Sequence, residues 1–301
     1  MTPLAFVLIV TSAGLHASWH MIAKKNHLTL VFYTMLLVVG AVLMSWVRFI
    51  TPVGFFGQPK WFYIWLGVSC AGDLLYGISL TLAYRRMDMS SAYPMMRSLP
   101  LLLTAALTTL CGWGKPLSAL AMIGMLVVFA GCLAMPLAKF SDFKLSNYLN
   151  RGILFIITVA CGTTVYTIFD SLAMQVLRDA LPDVPKAMIS MSYYEYRATT
   201  LTVLFSLAVL ATKHTRQEAV EFWRSGAWRM SILAGCFSTG TYVLVLLAMN
   251  YVTNVSYVQG FRQIGLLIGM LEGIFILKER AAVPKFVGLA LILTGLALTL
   301  I

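Results

Sequence analysis

Charge is what this chain has least of. Only 11% of its 301 residues are charged, and Asp and Glu together number 11. That is too little polar surface to coat a soluble globular domain of this size. Cysteine is also sparse, with Cys70, Cys111, Cys132, Cys161 and Cys236 all within or at the ends of apolar stretches. None stands in a paired spacing, which excludes a disulfide framework or a zinc ribbon and leaves packing as their role. The chain holds no His-Glu-x-x-His metal motif, nucleophile elbow or glycine-rich phosphate loop, so it is read as a non-enzyme with no metal or cofactor. Long polar segments are missing too, and little chain remains for an extramembrane domain.

What is present is hydrophobic, 60% of all residues. Apolar runs recur near residues 3–21, 29–47, 61–83, 90–111, 117–137, 152–174, 189–211, 228–249, 255–277 and 284–301. Each is long enough to cross a hydrocarbon core of about 30 Å as a helix. The expectation is an all-α integral membrane protein of ten transmembrane helices. The first run lacks a basic residue before its apolar core and reads as a retained helix rather than a cleaved leader.

The net charge of +11 does not indicate nucleic acid, because the bases are scattered over short loops. They follow topology instead. The loops after the odd-numbered helices carry Lys24, Lys25, Arg85, Arg86, Lys139, Lys144, Arg151, Lys213, Arg216, Arg224, Arg229, Lys278, Arg280 and Lys285, against Arg48, Lys60, Lys115, Arg178 and Lys186 on the other side. The asymmetry places the odd loops in the cytoplasm, both termini outside it, and the chain in the cytoplasmic (inner) membrane.

The chain repeats itself. A shift of 165 positions aligns Ala83 with Ala248, Ser91 with Ser256 and Arg97 with Arg262; a shift of 164 aligns Gly124 with Gly288 and Gly131 with Gly295. Residues 1–138 and 151–301 are accordingly two five-helix repeats joined by a cytoplasmic linker, 139–150. Five is odd, so the copies insert in opposite senses. Inverted repeats of this kind place a central cavity and substrate site near the midplane.

Arg97 and Arg262 lie about seven residues inside equivalent helices, roughly 10 Å deep at a rise of about 1.5 Å per residue. An arginine at that depth faces a protein interior or a watery cavity rather than lipid. They are the leading candidates for substrate binding, with Tyr93 on the face of Arg97, and Gln259 and Gln263 on the face of Arg262. Asp73, His16, Trp19, Tyr166 and Tyr242 complete the candidate cavity lining. Asp73 is also a candidate ion-pair partner for Arg97, and His16 and Asp73 are the candidates for proton coupling. Glu195 and Arg197 read as interfacial anchors beside Tyr193, Tyr194 and Tyr196. The fifth and tenth helices carry almost nothing polar and are left to face lipid or a second copy in a homodimer.

The run Phe275, Ile276, Leu277, Lys278, Glu279 and Arg280, followed by Gly288 to Gly295, resembles the ending of EamA-type members of the drug/metabolite transporter superfamily. Trp113 to Ser118 resembles the equivalent signature of the first half, with Lys115 in place of the usual acid. Trp19 with Lys24, and Ala92 to Pro100, are similar to the same family, and the resemblance covers essentially the whole chain. It implies two inverted five-helix bundles around a central cavity and a carrier of small organic solutes such as amino acids or their derivatives, often moved outward; the two arginines suit an organic anion as well. A lipid-headgroup flippase or an accessory membrane subunit is the alternative.

Overall fold

The computed structural model describes residues 2–26, 28–86, 89–135, 137–144, 153–275 and 282–299; of 24, 84–86, 89–95 and 272–274 it describes the backbone alone. Described residues form helices and no strands. In chain order these are α1 (Pro3–Lys25), α2 (Leu30–Met44), α3 (Val47–Ile50), α4 (Lys60–Arg86), α5 (Met89–Leu110), α6 (Ala119–Ala134), α7 (Ile153–Ala180), α8 (Lys186–Ala211), α9 (Lys213–Arg224), α10 (Trp228–Met249), α11 (Ser256–Phe261), α12 (Ile264–Phe275) and α13 (Val283–Leu298).

Hydroxyl side chains start several of them. Thr2 Oγ1 accepts from the Ala5 amide at 3.2 Å with Pro3 pre-set in the first turn, Thr29 accepts from Phe32 at 3.1 Å, and Ser118 from Ala121 at 3.0 Å. Each cap satisfies an amide that the helix itself cannot pair. After α5 the chain reverses through Gly112 and Gly114 at φ +67° and +100°, a backbone region that side chains with a Cβ disfavour. The reversal docks on the start of α11: Lys115 N donates to the Thr253 carbonyl at 3.1 Å, and Asn254 Nδ2 to the Lys115 carbonyl at 3.1 Å.

Five helical segments, Pro3–Ala23, Leu30–Ile50, Lys60–Ala83, Ile153–Ala180 and Trp228–Met249, are long and apolar enough to cross a membrane, and three shorter helical stretches, Met96–Leu110, Ala119–Ala134 and Val283–Leu298, are also apolar. Large apolar side chains cover the outside, with Phe49 87%, Leu110 82% and Phe275 76% exposed. Such a surface suits lipid contact rather than water.

Two features depart from the sequence reading. The connection after α8 is itself helical, α9, with Phe222 buried beneath it. The ninth apolar run is broken at Arg262 and Gln263 into α11 and α12.

The main packing partners are α4 with α7, α1 with α10, and α6 with α13. Glycine brings backbones together in the first and last of these pairs. A Cβ on Gly162 would stand 2.6 Å from the Gly72 carbonyl oxygen. Between α6 and α13 the contact is reciprocal: Gly124 faces the Gly295 carbonyl and Gly295 faces that of Gly124, each at 2.5 Å from a built Cβ, while Gly131 and Gly288 do the same at 2.6 Å. No side chain fits there, and close approach gains dispersion contacts along both helices. The fifth and tenth apolar runs thus spend their glycine faces on each other, leaving only the outer face, including Ile123, Leu126 and Leu293, exposed. Across α1 and α10, Ser12 donates to the Thr241 carbonyl at 2.9 Å and Thr241 to that of Ser12 at 3.5 Å.

Candidate functional site

A break in a buried helix frees carbonyls that have no water to turn to, so something must satisfy them. At the α11/α12 break the Arg262 carbonyl accepts from Arg97 Nη2 at 2.6 Å. Gln263 Nε2 returns the contact, donating to the Arg97 carbonyl at 2.9 Å and to the Gln259 carbonyl at 3.1 Å. The two arginines meet, but through the main chain of one and the side chain of the other. Arg97 is therefore a bridge between α5 and the broken helix before it is anything else.

The other Arg97 terminal nitrogen, Nη1, lies 3.0 Å from His16 Nε2, and Trp19 Nε1 donates to His16 Nδ1 at 3.1 Å. His20, one turn further along α1, stacks on Trp19 with ring centroids 3.7 Å apart and stands 4.5 Å from the His16 ring. His20 was not among the sequence candidates, although its spacing of four from His16 puts both on one helical face.

His16, His20 and Arg97 line a narrow cavity together with Tyr76, Thr163, Tyr166, Gln259 and Arg262, closed by Leu80, Met96, Pro100 and Val159. Water centres have only about 20 Å³ there, room for about one molecule. Gln259 Nε2 bonds Thr167 Oγ1 at 2.5 Å. Arg262 is 3% exposed, and its Nε has no hydrogen-bond partner. Tyr93 lies on α5 among the residues described by backbone alone.

Asp73 is elsewhere. The sequence allowed it as a partner of Arg97, but it pairs with Arg197 Nη2 at 2.5 Å and accepts from Tyr33 at 2.9 Å. Arg197 Nε also reaches Asp170 at 3.2 Å. Asp170 accepts further from Tyr193 at 2.5 Å and from Ser69 and Tyr242. The guanidinium carbon sits 4.4 Å from the Tyr242 ring centroid and 5.4 Å from that of Tyr166. One guanidinium thus serves two carboxylates, and four hydroxyls spread the remaining negative charge. Tyr166 touches both assemblies, with its ring over Arg197 and its edge on the cavity.

This corrects the reading of Arg197 and Glu195 as interfacial anchors. Both are buried, at 4% and 0% exposed. Glu195 accepts from Arg48 Nε at 2.6 Å and from Thr199 at 2.9 Å. Arg197 lies eleven residues into α8, about 16 Å along its axis. Asp170 lies four residues from the end of the sixth apolar run, whereas α7 continues to Ala180 and leaves it well inside the helix.

No family model matches this sequence, and no curated protein matches it. Among solved structures, one described only as the crystal structure of a protein superposes with a TM-score of 0.70 at 14% identity, covering 99% of this chain and 96% of that one. At that identity the likeness is one of fold. It extends over the full length of both chains.

Proposed function

We propose that this protein is a secondary transporter of a small organic metabolite, an amino acid or organic anion, working by alternating access in the cytoplasmic membrane. The observation that carries the proposal is the meeting of Arg97 and Arg262, one from each half of the chain, at a helix break beside a buried polar cavity. Broken helices lining a midplane cavity are where carriers built from inverted repeats bind their cargo.

The packing supports ten spans in two inverted repeats. Under that pairing of halves α6 corresponds to α13, and a twofold axis between them requires Gly124 to meet the partner of Gly131, and Gly131 that of Gly124. The contacts follow that rule with matched distances. The same operation turns the α4/α7 pair into the α10/α1 pair, and both are among the most extensive in the fold. The resemblance to EamA-type transporters agrees with this arrangement and with export as the direction. The scatter of basic residues supports external termini.

A cavity with room for about one water does not hold an organic solute, so binding requires the halves to part. Arg97 spans that division, holding the Arg262 carbonyl from α5. Rocking of one half against the other alters this contact first. His16 and Asp73 are the proposed proton-coupling groups, one in the cavity and one in the Arg197 cluster.

Uptake and counterflow in proteoliposomes, across a panel of amino acids and organic acids, test the reading with Arg97→Ala and Arg262→Ala. Both variants lose transport at equal folded yield; unchanged flux in both removes the site. Collapse of the pH gradient tests coupling, and flux that persists in full removes His16 and Asp73 from that role.

A further inference from the structure

The cavity holds an excess of hydrogen-bond donors. A guanidinium donates and never accepts, and the same is true of an indole N–H. His16 stands between one of each: Trp19 Nε1 at its Nδ1 and Arg97 Nη1 at its Nε2. A neutral imidazole has one lone pair for two such donors. If Nδ1 accepts from Trp19, the ring proton sits on Nε2 and points at another N–H. Nothing in the pair itself resolves that conflict.

Arg262 presents the same need independently. Its side chain is 3% exposed, lines the cavity, and has a buried Nε with no hydrogen-bond partner. A buried charged donor left unsatisfied is expensive, more so than a neutral one. Among the described lining residues there is no carboxylate to answer it. Asp73 and Asp170 are occupied with Arg197 and a shell of hydroxyls.

We propose that this cavity takes a small oxyanion, a carboxylate, phosphate or phosphonate group, whose oxygens accept from Arg262 and from Nε2–H of His16. This rests on the carrier reading and deepens it by naming the group of the solute that is bound and the donors that hold it. An oxyanion supplies what the site lacks, several lone pairs fanned from one centre, and a guanidinium matches that geometry with parallel donors. Once the halves part, an anion seated between His16 and Arg97 leaves Trp19 its acceptor at Nδ1 and takes Arg97 Nη1 as a further donor. Binding thus relieves one mismatched contact and fills one empty donor. A cation does neither, and a neutral carbonyl accepts from these donors without answering the guanidinium charge.

The test uses the full chain, purified in neutral detergent free of anionic lipid. Thermal unfolding is followed with acetate, succinate, inorganic phosphate and methylphosphonate; with acetamide and succinamide as neutral matches of shape; and with methylamine. A parallel series uses phosphatidylcholine nanodiscs with and without phosphatidylglycerol. The anions are expected to raise the unfolding temperature saturably, which separates binding from the general stabilising action of phosphate salts. Arg262→Gln is expected to weaken the apparent affinity about ten-fold or more. If that variant does not accumulate, Arg262→Lys carries the test, keeping charge but losing the planar fork, with a loss of about five-fold.

Saturable stabilisation by an amide or amine and by no anion overturns the oxyanion assignment while the carrier reading stands. Anion binding that the Arg262 variants leave unchanged overturns the assignment to this cavity. Stabilisation by phosphatidylglycerol alone keeps the oxyanion chemistry, assigns it to a lipid headgroup, and overturns the carrier of soluble solutes. Silence toward every solute and lipid, with no counterflow in vesicles, overturns both readings.

Discussion

Replacing Arg197 by methionine removes the positive charge shared by Asp73 and Asp170 while keeping most of the side-chain volume. The mutant interior then holds two carboxylates with no cation, at positions 4% and 0% exposed. The favourable contacts of Arg197 go at once, chief among them the 2.5 Å pair to Asp73, the 3.2 Å pair to Asp170 and the 4.4 Å approach to the Tyr242 ring. Breaking a buried pair from one side costs about 3–5 kcal/mol, because the orphaned charge remains desolvated. The hydroxyls of Tyr33, Tyr193, Tyr242 and Ser69 stay in place and hold the figure to the lower part of that range. Reversible unfolding of purified protein in mixed micelles reads the change. The triple variant Arg197→Met, Asp73→Asn, Asp170→Asn is expected to recover at least half of the loss, since it removes the orphaned charges along with their partner. An exposed interfacial arginine would lose no more than about 1 kcal/mol on the same substitution. A single variant within that limit refutes the buried cluster.

Tyr33→Phe deletes a 2.9 Å hydrogen bond to Asp73 without changing shape, and the same unfolding assay should show a loss of about 1.5–3 kcal/mol. Gly131→Val puts a Cβ 2.6 Å from the Gly288 carbonyl oxygen, a backbone atom that cannot step aside; folded yield and melting temperature should both fall, with a cost of at least about 1–3 kcal/mol. Gly67→Ala is its control, because nothing lies within 4 Å of that Cβ, and it should be neutral or stabilising by up to about 1 kcal/mol. Arg97→Lys keeps one charge but cannot reach both His16 and the Arg262 carbonyl, so it should lower thermal stability and transport together; full retention of both would mean that the contact across the helix break is dispensable.

The helical architecture was legible because lipid enforces long apolar runs, and the depth of Arg97 and Arg262 followed from counting residues along them. Pairing was not legible. Asp73 gains an arginine partner only once the helices pack, and the choice between Arg97 and Arg197 belongs to the contact of α4 with α8. Asp170 was not legible either, since the apolar run ends near it while the helix continues through Arg178 and Asp179. The break at Arg262 did leave a trace, with Gly260 and Gly265 on either side of it. Glycine is common in membrane helices, however, and only the hold of Arg97 on the Arg262 carbonyl distinguishes this place from the rest.

The glycine contact between α6 and α13 carries a historical consequence. Each helix offers the same two positions to the other, so the surface is self-complementary, and a substitution in one half is felt at a single point of the joined chain. Under the proposed descent of both halves from one five-helix unit, two separate copies would feel the same substitution twice, once at each end of the contact, and joining them frees each half to change on its own.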